Sequence, residues 1–161
     1  MSDAKGIRFE MEACFARLDQ MVTNARPEAI RGFFMRIILP LYKNAQRERW
    51  MSENASEGEQ WMQLTSEAYA KRKKKIAAEK SYPGGGTKLM ILSGALVGAA
   101  TGDGPGLYAI ASGTQFTIGI DIGQVDYAGY ASEKRPTMKF SDETIASWTE
   151  PLSKFIFGGE K

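Results

Sequence analysis

The sequence contains no histidine and a single cysteine, Cys14. Without histidine it lacks the commonest general base near neutral pH and the commonest ligand of transition metals. A single cysteine excludes a disulfide within the chain and a cysteine-based zinc cluster. These absences remove a hydrolase triad, a cysteine–histidine nucleophile and a structural zinc site, and leave carboxylate chemistry as the available catalysis. We therefore expect a protein that is not an enzyme and uses no cofactor or metal.

Excess charge and long apolar runs are also missing. The formal net charge is only +2 at pH 7, which does not by itself indicate a polyanion partner. The longest uncharged tract, residues 89–102, is too short and too glycine-rich to span a bilayer, and the acidic first residues are unlike a secretory signal. We expect a protein that is made in the cytoplasm and has no membrane partner.

What is present suits one folded domain. The chain has 161 residues, 43% of them hydrophobic and 25% charged, which is close to ordinary globular composition. A chain of this length buries roughly 70% of the surface that it exposes when unfolded. We predict a single domain over residues 1–161 whose first 50 residues are helical.

Apolar residues at three- and four-residue steps predict two amphipathic helices in this N-terminal part. The first covers residues 7–22 and carries Cys14 on its apolar stripe, which favours a buried thiol over a reactive one. The second begins at Pro27, which suits a first helical position, and continues to Tyr42. Pro40 lies inside this pattern and should kink the helix.

The chain then turns polar over residues 47–63, which predicts a connecting loop pinned by the aromatic Trp61. Ser56 and Glu59 stand at capping-box spacing in this loop. A third helix follows, with Thr65 or Ser66 as its cap, and it ends before the glycine-rich residues 82–86. Its polar side carries five consecutive cations: Lys71, Arg72, Lys73, Lys74 and Lys75.

The second half of the sequence changes period. Residues 107–112, a Gly113–Thr114 turn and an alternating segment through Ile122 predict a β-hairpin with one buried face. Asp142 or Ser141 could cap a last helix, although a proline at position 151 argues against its second half. The resulting fold class is α+β, with N-terminal amphipathic helices, a small antiparallel β-sheet formed by the hairpin, and a C-terminal helix.

Two glycine clusters invite comparison with nucleotide-binding loops. Gly84–Lys88 lacks the glycine before the lysine and the Ser or Thr after it that a phosphate loop requires, so a flexible joint is favoured. Gly102–Gly106 precedes a strand instead of a helix, so it does not fit the dinucleotide-binding fingerprint. Neither the pair Asp121 and Asp126 nor Asp142 with its neighbour comes with the further ligands that a metal-dependent nuclease needs.

The order of short motifs from Trp61 to the C terminus resembles the phage virion-morphogenesis family, the Mu-like G proteins and related tail-completion proteins of tailed bacteriophages. The matching features are Trp61-x-x-Leu64-Thr65, a basic helix, a glycine-rich break, Leu92-Ser93-Gly94-Ala95-Leu96, a hairpin, Tyr127-Ala128, Arg135-Pro136 and Phe140-Ser141-Asp142-Glu143. The family-like core is therefore residues 61–161. The chain departs from the family pattern after Ala128 and after Pro136, where Thr137-Met138 stands in place of the usual Phe-Leu.

The resemblance implies a non-enzymatic virion protein, a tail-completion, tail-terminator or neck protein that is made in the host cytoplasm. It would form a homo-oligomeric ring, a hexamer by analogy, and would contact the tail tube or sheath protein and the head-to-tail connector, with DNA passing through the ring. An exposed hairpin edge could extend the sheet of a neighbouring subunit. Candidate contact residues are Trp61, Leu107, Tyr108, Tyr127, Tyr130, Arg135 and Phe157.

Two other functions remain open at this point. The cations at 71–75 could contact phosphates in a nucleic-acid-binding accessory protein, or they could form a solvated helix face. A nuclease that depends on Asp121 and Asp126 is the remaining formal alternative.

Overall fold

The computed structural model describes residues 11–80, 91, 93–112 and 115–158, and over these ranges the fold is α+β, as predicted. Most of it is helical, with one antiparallel hairpin. The helices are α1 Met11–Asn24, α2 Pro27–Phe33, α3 Leu39–Met51, α4 Glu67–Glu79, α5 Ala95–Thr101, α6 Ala128–Lys134 and α7 Asp142–Phe157, and the strands are β1 Leu107–Ser112 and β2 Gln115–Ile120. The predicted glycine joint at Gly84–Lys88, the start of the first helix at residue 7 and the Gly113–Thr114 turn lie outside the described residues.

The second predicted helix is present and longer than expected. It begins with proline in its first turn, at Pro27, and passes through a π-helical turn, Phe34–Ile38, directly into α3. In this turn the Leu39 N–H donates to the carbonyl of Phe34, five residues back. The backbone therefore stays helical around Pro40, where the sequence predicts a kink, because the wider turn lies just before the residue that cannot donate.

The predicted loop over residues 47–63 is wrong for its first five residues, which form the last turn of α3. Tyr42, Gln46, Arg49 and Trp50 are buried along one face of that helix. These four residues follow helical spacing, but two of them are polar. A pattern of apolar residues alone therefore does not predict that the helix continues here. The Ser56–Glu59 spacing also does not start a helix, since Ser56 lies in a short 3-10 turn, Ala55–Glu57.

The hairpin is confirmed, with Leu107 opposite Ile120 and Ser112 opposite Gln115. Its inner face carries the side chains of alternate residues, including Phe116 and Ile118, while Ile122 lies beyond β2 and is exposed. Phe116 stacks on Phe34 at a centroid distance of 5.0 Å. This contact places the sheet against the helical layer.

The last helix is confirmed with Ser141 as its cap, whose hydroxyl accepts from the Thr144 N–H at 3.2 Å. Contrary to expectation, α7 continues through Pro151 to Phe157. Phe155, beyond the proline, stacks on Phe33 at 4.8 Å, and the carbonyl of Phe155 accepts from the Asn24 side-chain amide at 2.5 Å. These tertiary contacts hold the half of the helix that its sequence does not favour.

The core lies between α3, α5 and the segment that leads into α6. Its buried members are Trp50, Trp61, Ile91, Leu96, Ala99, Ala100, Val125 and Ala128. The short helices α5 and α6 do not appear in the sequence prediction. Small residues let α5 approach α3 closely, and this packing is a property of the tertiary structure.

Gly102 ends α5 with a left-handed φ of 71°. A Cβ at this position would lie 2.6 Å from Cε of Lys43 and 2.7 Å from Cδ2 of Leu107. Gly102→Ala should therefore lower the free energy of unfolding by about 1–3 kcal/mol, from backbone strain and displacement of Leu107. Urea denaturation measures this loss. Gly58→Ala, which is also left-handed but has open space around it, should lose less, and equal losses would contradict the steric part of the argument.

Candidate interaction surfaces

The seven predicted contact residues do not form one surface. Trp61 is only 4% exposed and packs edge-on against Trp50 at 5.0 Å, so the prediction of a pinned aromatic is confirmed. As a contact residue for a partner, Trp61 is misplaced because it belongs to the core of the subunit.

The hairpin presents different residues on its two faces. Leu107 is half-buried on the inner face, whereas Tyr108 and Ile110 lie on the outer face and are exposed. The Tyr108 ring lies across Gly119, its register partner, and occupies the space that a Cβ there would need. The outer face therefore offers an ordered, apolar contact formed by Tyr108 and Ile110.

The remaining candidates lie near the two C-terminal helices. Tyr127 and Tyr130, at the start of α6, are both exposed, Tyr130 to 68%, and Phe157 is exposed at the end of α7. Arg135 is engaged within the chain, since its Nε and Nη2 donate to the Met62 carbonyl at 3.1 and 2.8 Å. Three of these four aromatic and basic side chains are thus available to a partner.

The basic helix α4 is capped by Ser66, whose hydroxyl accepts from the Tyr69 N–H at 3.2 Å. Lys73 points inward and is buried, whereas its four cationic neighbours in the run are exposed. Burial lowers the pKa of Lys73, an effect that Glu53 opposes and Arg135 reinforces. The five predicted cations therefore separate into one structural lysine and an outward face of four.

Sequence reasoning missed a buried polar cluster around Arg49, which is 1% exposed. Its guanidinium donates to the carbonyls of Pro136 at 2.6 Å and Thr137 at 3.0 Å, and to the Asn54 side-chain oxygen at 2.5 Å. It also lies over the ring of Phe140, 5.2 Å from the centroid. These contacts bind the segment before α7 to α3.

The carboxylate of Glu57 partly offsets the positive charge of Arg49. Burial is the main cause that lowers the pKa of Arg49, and the nearby Glu57 and Tyr42 oppose it. Glu57 accepts from the Ser141 N–H at 2.7 Å and from the Thr144 hydroxyl at 3.2 Å, so it also stabilises the positive end of α7. The cluster is a structural tie that joins α3, the 3-10 turn and α7.

An apolar groove of about 360 Å³ opens between α3, β2 and α7. Its lining includes several aromatic side chains, among which Phe140 and Trp148 pack edge-on at 4.8 Å. Tyr42 lies at its base and donates to the sulfur of Met138 at 3.2 Å. Burial raises the pKa of Tyr42 to about 12, against the opposing effects of the hydrogen bond from Gln46 and the charge of Arg49.

The candidate carboxylates do not come together as a metal site. Asp121 Oδ1 accepts from the Gly123 N–H at 2.8 Å, a local turn contact. Across the described ranges, no group of three or more Asp, Glu, Cys or His side chains is placed to hold a metal ion. Among the same residues, no helix combines the length and the apolar character needed to cross a bilayer.

Comparison of this chain with models of protein families, with curated proteins and with solved structures finds no match.

Proposed function

We propose that the chain is a structural subunit of a tailed-bacteriophage particle that acts in tail completion or termination and in head-to-tail joining. It assembles into a ring, and the ring acts by occupancy. The ring covers the last layer of the tail tube or sheath, stops further polymerisation and offers a new surface to the head connector. The proposal starts from the order of motifs between Trp61 and the C terminus.

The structural observation that carries this proposal is the β1–β2 hairpin. In the described part of the chain it forms a sheet of only two strands, so no third strand covers its outer edges. An edge that pairs with no other strand can accept one from a neighbour, and exposed Tyr108 and Ile110 add an apolar contact on the outer face of the hairpin. The apolar groove along α7 supplies a different surface on the same subunit. Contacts between unlike surfaces are the kind that build rings.

The oligomeric mass tests this assembly. Six copies of a 17.8 kDa chain have a mass of about 107 kDa, which native mass spectrometry or light scattering resolves from the monomer. Ile110→Asp should shift the population towards monomer, because it places a charge in the proposed contact. Met62→Asp is the matched control and should leave the mass unchanged, since Met62 is 70% exposed and lies beside Arg135, in a surface region that no hairpin residue lines.

Imaging of particles tests the biological role. Particles made without this protein should have tails of abnormal length or tails that do not join heads. Tails of normal length that still join heads would refute the role, and a wild-type chain that stays monomeric with and without purified tails would refute the ring.

A further inference from the structure

We infer that the outward face of α4, formed by Lys71, Arg72, Lys74 and Lys75, binds the phosphate backbone of duplex DNA without reading its sequence. We call these four residues the cationic face. The inference concerns the isolated subunit and does not rest on the proposed place in a virion.

The packing of α4 directs these four side chains away from the protein. The helix rests on Ala70, Lys73 and Ala77, which follow one another at steps of three and four residues. At 100° per residue, the cationic face spans an arc of roughly 160° on the opposite side. The inward turn of Lys73 therefore places the other four cations on one continuous outer surface.

The fold itself makes little use of this charge. Lys71 and Lys74, Lys71 and Lys75, and Arg72 and Lys75 are neighbours at helical spacing, and like charges so placed disfavour the helix. Lys75 has Glu79 as a carboxylate partner at 3.8 Å. No carboxylate of the described residues lies within ion-pair distance of the other three cations. An external polyanion would relieve this repulsion.

The chemistry of the arc favours phosphates over a membrane or a protein partner. Besides the four cations it carries Glu67, Ala68, Ala78 and Glu79, and thus no large apolar side chain. A helix that lies on a membrane needs an exposed apolar face, whereas in α4 Ala77 is buried, Ile76 is half-buried and the one large exposed aromatic, Tyr69, lies outside the arc. Protein interfaces are depleted of lysine at their centres. Contact with a phosphate backbone requires only accessible cations.

Fluorescence anisotropy with a labelled 20-base-pair duplex of mixed sequence tests the inference. If the four cations contact four phosphates, affinity should fall roughly 100-fold between 50 and 200 mM NaCl. The variant Lys71→Gln, Arg72→Gln, Lys74→Gln should bind more than about 10-fold more weakly at 50 mM NaCl. Its plot of log affinity against log salt should be shallower by about 2.7. A second duplex of different sequence should bind equally well.

The matched control is Arg17→Gln, Arg26→Gln, Arg31→Gln, which removes three exposed cations from α1, α2 and their junction. Both triple variants change the formal net charge from +2 to −1. A difference between their affinities for DNA therefore depends on where the cations lie and not on the net charge of the chain. The control should keep most of the affinity, and Lys71→Arg, Lys74→Arg should keep the salt slope. Circular dichroism checks that each variant is folded.

Three results would overturn the inference: no binding of the wild-type chain at 50 mM NaCl, equal weakening by the two triple variants, or binding to phosphatidylserine vesicles without binding to the duplex. If the wild-type chain forms no ring but still binds DNA, the proposed function is refuted and the present inference stands, because the cationic face acts in a single subunit.

Discussion

Replacing Arg49 by methionine should lower the free energy of unfolding by about 3–4 kcal/mol. Methionine fills a similar long, narrow space but cannot donate, so the carbonyls of Pro136 and Thr137 and the Asn54 oxygen would each lose a donor. Glu57 would also lose the cation that balances it. The guanidinium binds two carbonyls of the segment that leads into α7. Its removal therefore weakens the contact between α3 and this segment, which are far apart in the sequence. Urea unfolding should show a midpoint lower by roughly 2 M at an unchanged slope.

Arg47→Met is the matched control for this experiment, since Arg47 lies on the same helix two residues earlier. Arg47 pairs with Asp103 at 2.6 Å, but both side chains are about half exposed, so solvent screens the pair. The midpoint at neutral pH should barely move. Equal shifts for the two variants would show that Arg49 contributes only as a charge on α3 and not through its buried hydrogen bonds.

The Arg47 pair has a pH dependence that separates the two arginines further. The hydrogen bond from Arg47 is the main cause that lowers the pKa of Asp103 from 3.8 to about 2. A carboxyl with a lowered pKa stabilises the fold fully above its unfolded pKa and loses that contribution as the pH falls towards the folded value. The small difference in stability between wild type and Arg47→Met at neutral pH should therefore disappear between pH 4 and pH 2, as urea unfolding at each pH would show.

Trp50→Ala should cost about 3–5 kcal/mol of unfolding free energy. The indole is 1% exposed and packs against Trp61 from one side and against α5 in the core, so its removal leaves a cavity that neighbouring backbone cannot readily fill. Thermal or urea denaturation followed by far-UV circular dichroism measures the loss without depending on tryptophan fluorescence.

Tyr130→Ala provides the comparison, because it removes a large aromatic ring from a 68% exposed position on α6. It should change stability by less than about 0.5 kcal/mol. If Trp50→Ala were as well tolerated as Tyr130→Ala, the core described between α3 and α5 would be wrong.

The elements that the sequence predicted correctly are those in which local signals agree. The hairpin combines alternating residues with β-branched and aromatic side chains, and α4 and α7 each begin with a serine that caps the helix. The cationic run on α4 was also visible. Its division into an inward Lys73 and an outward face was not, because the rotation of a helix depends on what it packs against.

The elements that were missed depend on distant contacts. α5 has the sequence ALVGAAT, in which small residues give almost no period but allow a close approach to α3. The C-terminal half of α3 buries Gln46 and Arg49, whose burial is possible only because carbonyls of residues 136 and 137 accept their hydrogen bonds. A spacing rule restricted to apolar residues could not include them. Counting every long side chain at positions 42, 46, 49 and 50 would have extended the helix.

The π-helical turn at Phe34–Ile38 sets the phase between two halves of one long helix. An α-helix advances 100° per residue, and a turn that holds one residue more delays the following stripe by about that amount. Phe33 before the turn and Tyr42 after it are both buried, whereas an uninterrupted α-helix would place them on opposite sides. The extra residue of the π turn therefore brings the two buried stripes to one side of the helix. Removing one residue here would leave eight steps of 100° between Phe33 and Tyr42, which is the same angle, so a regular α-helix one residue shorter should keep the buried row of α3 facing the core.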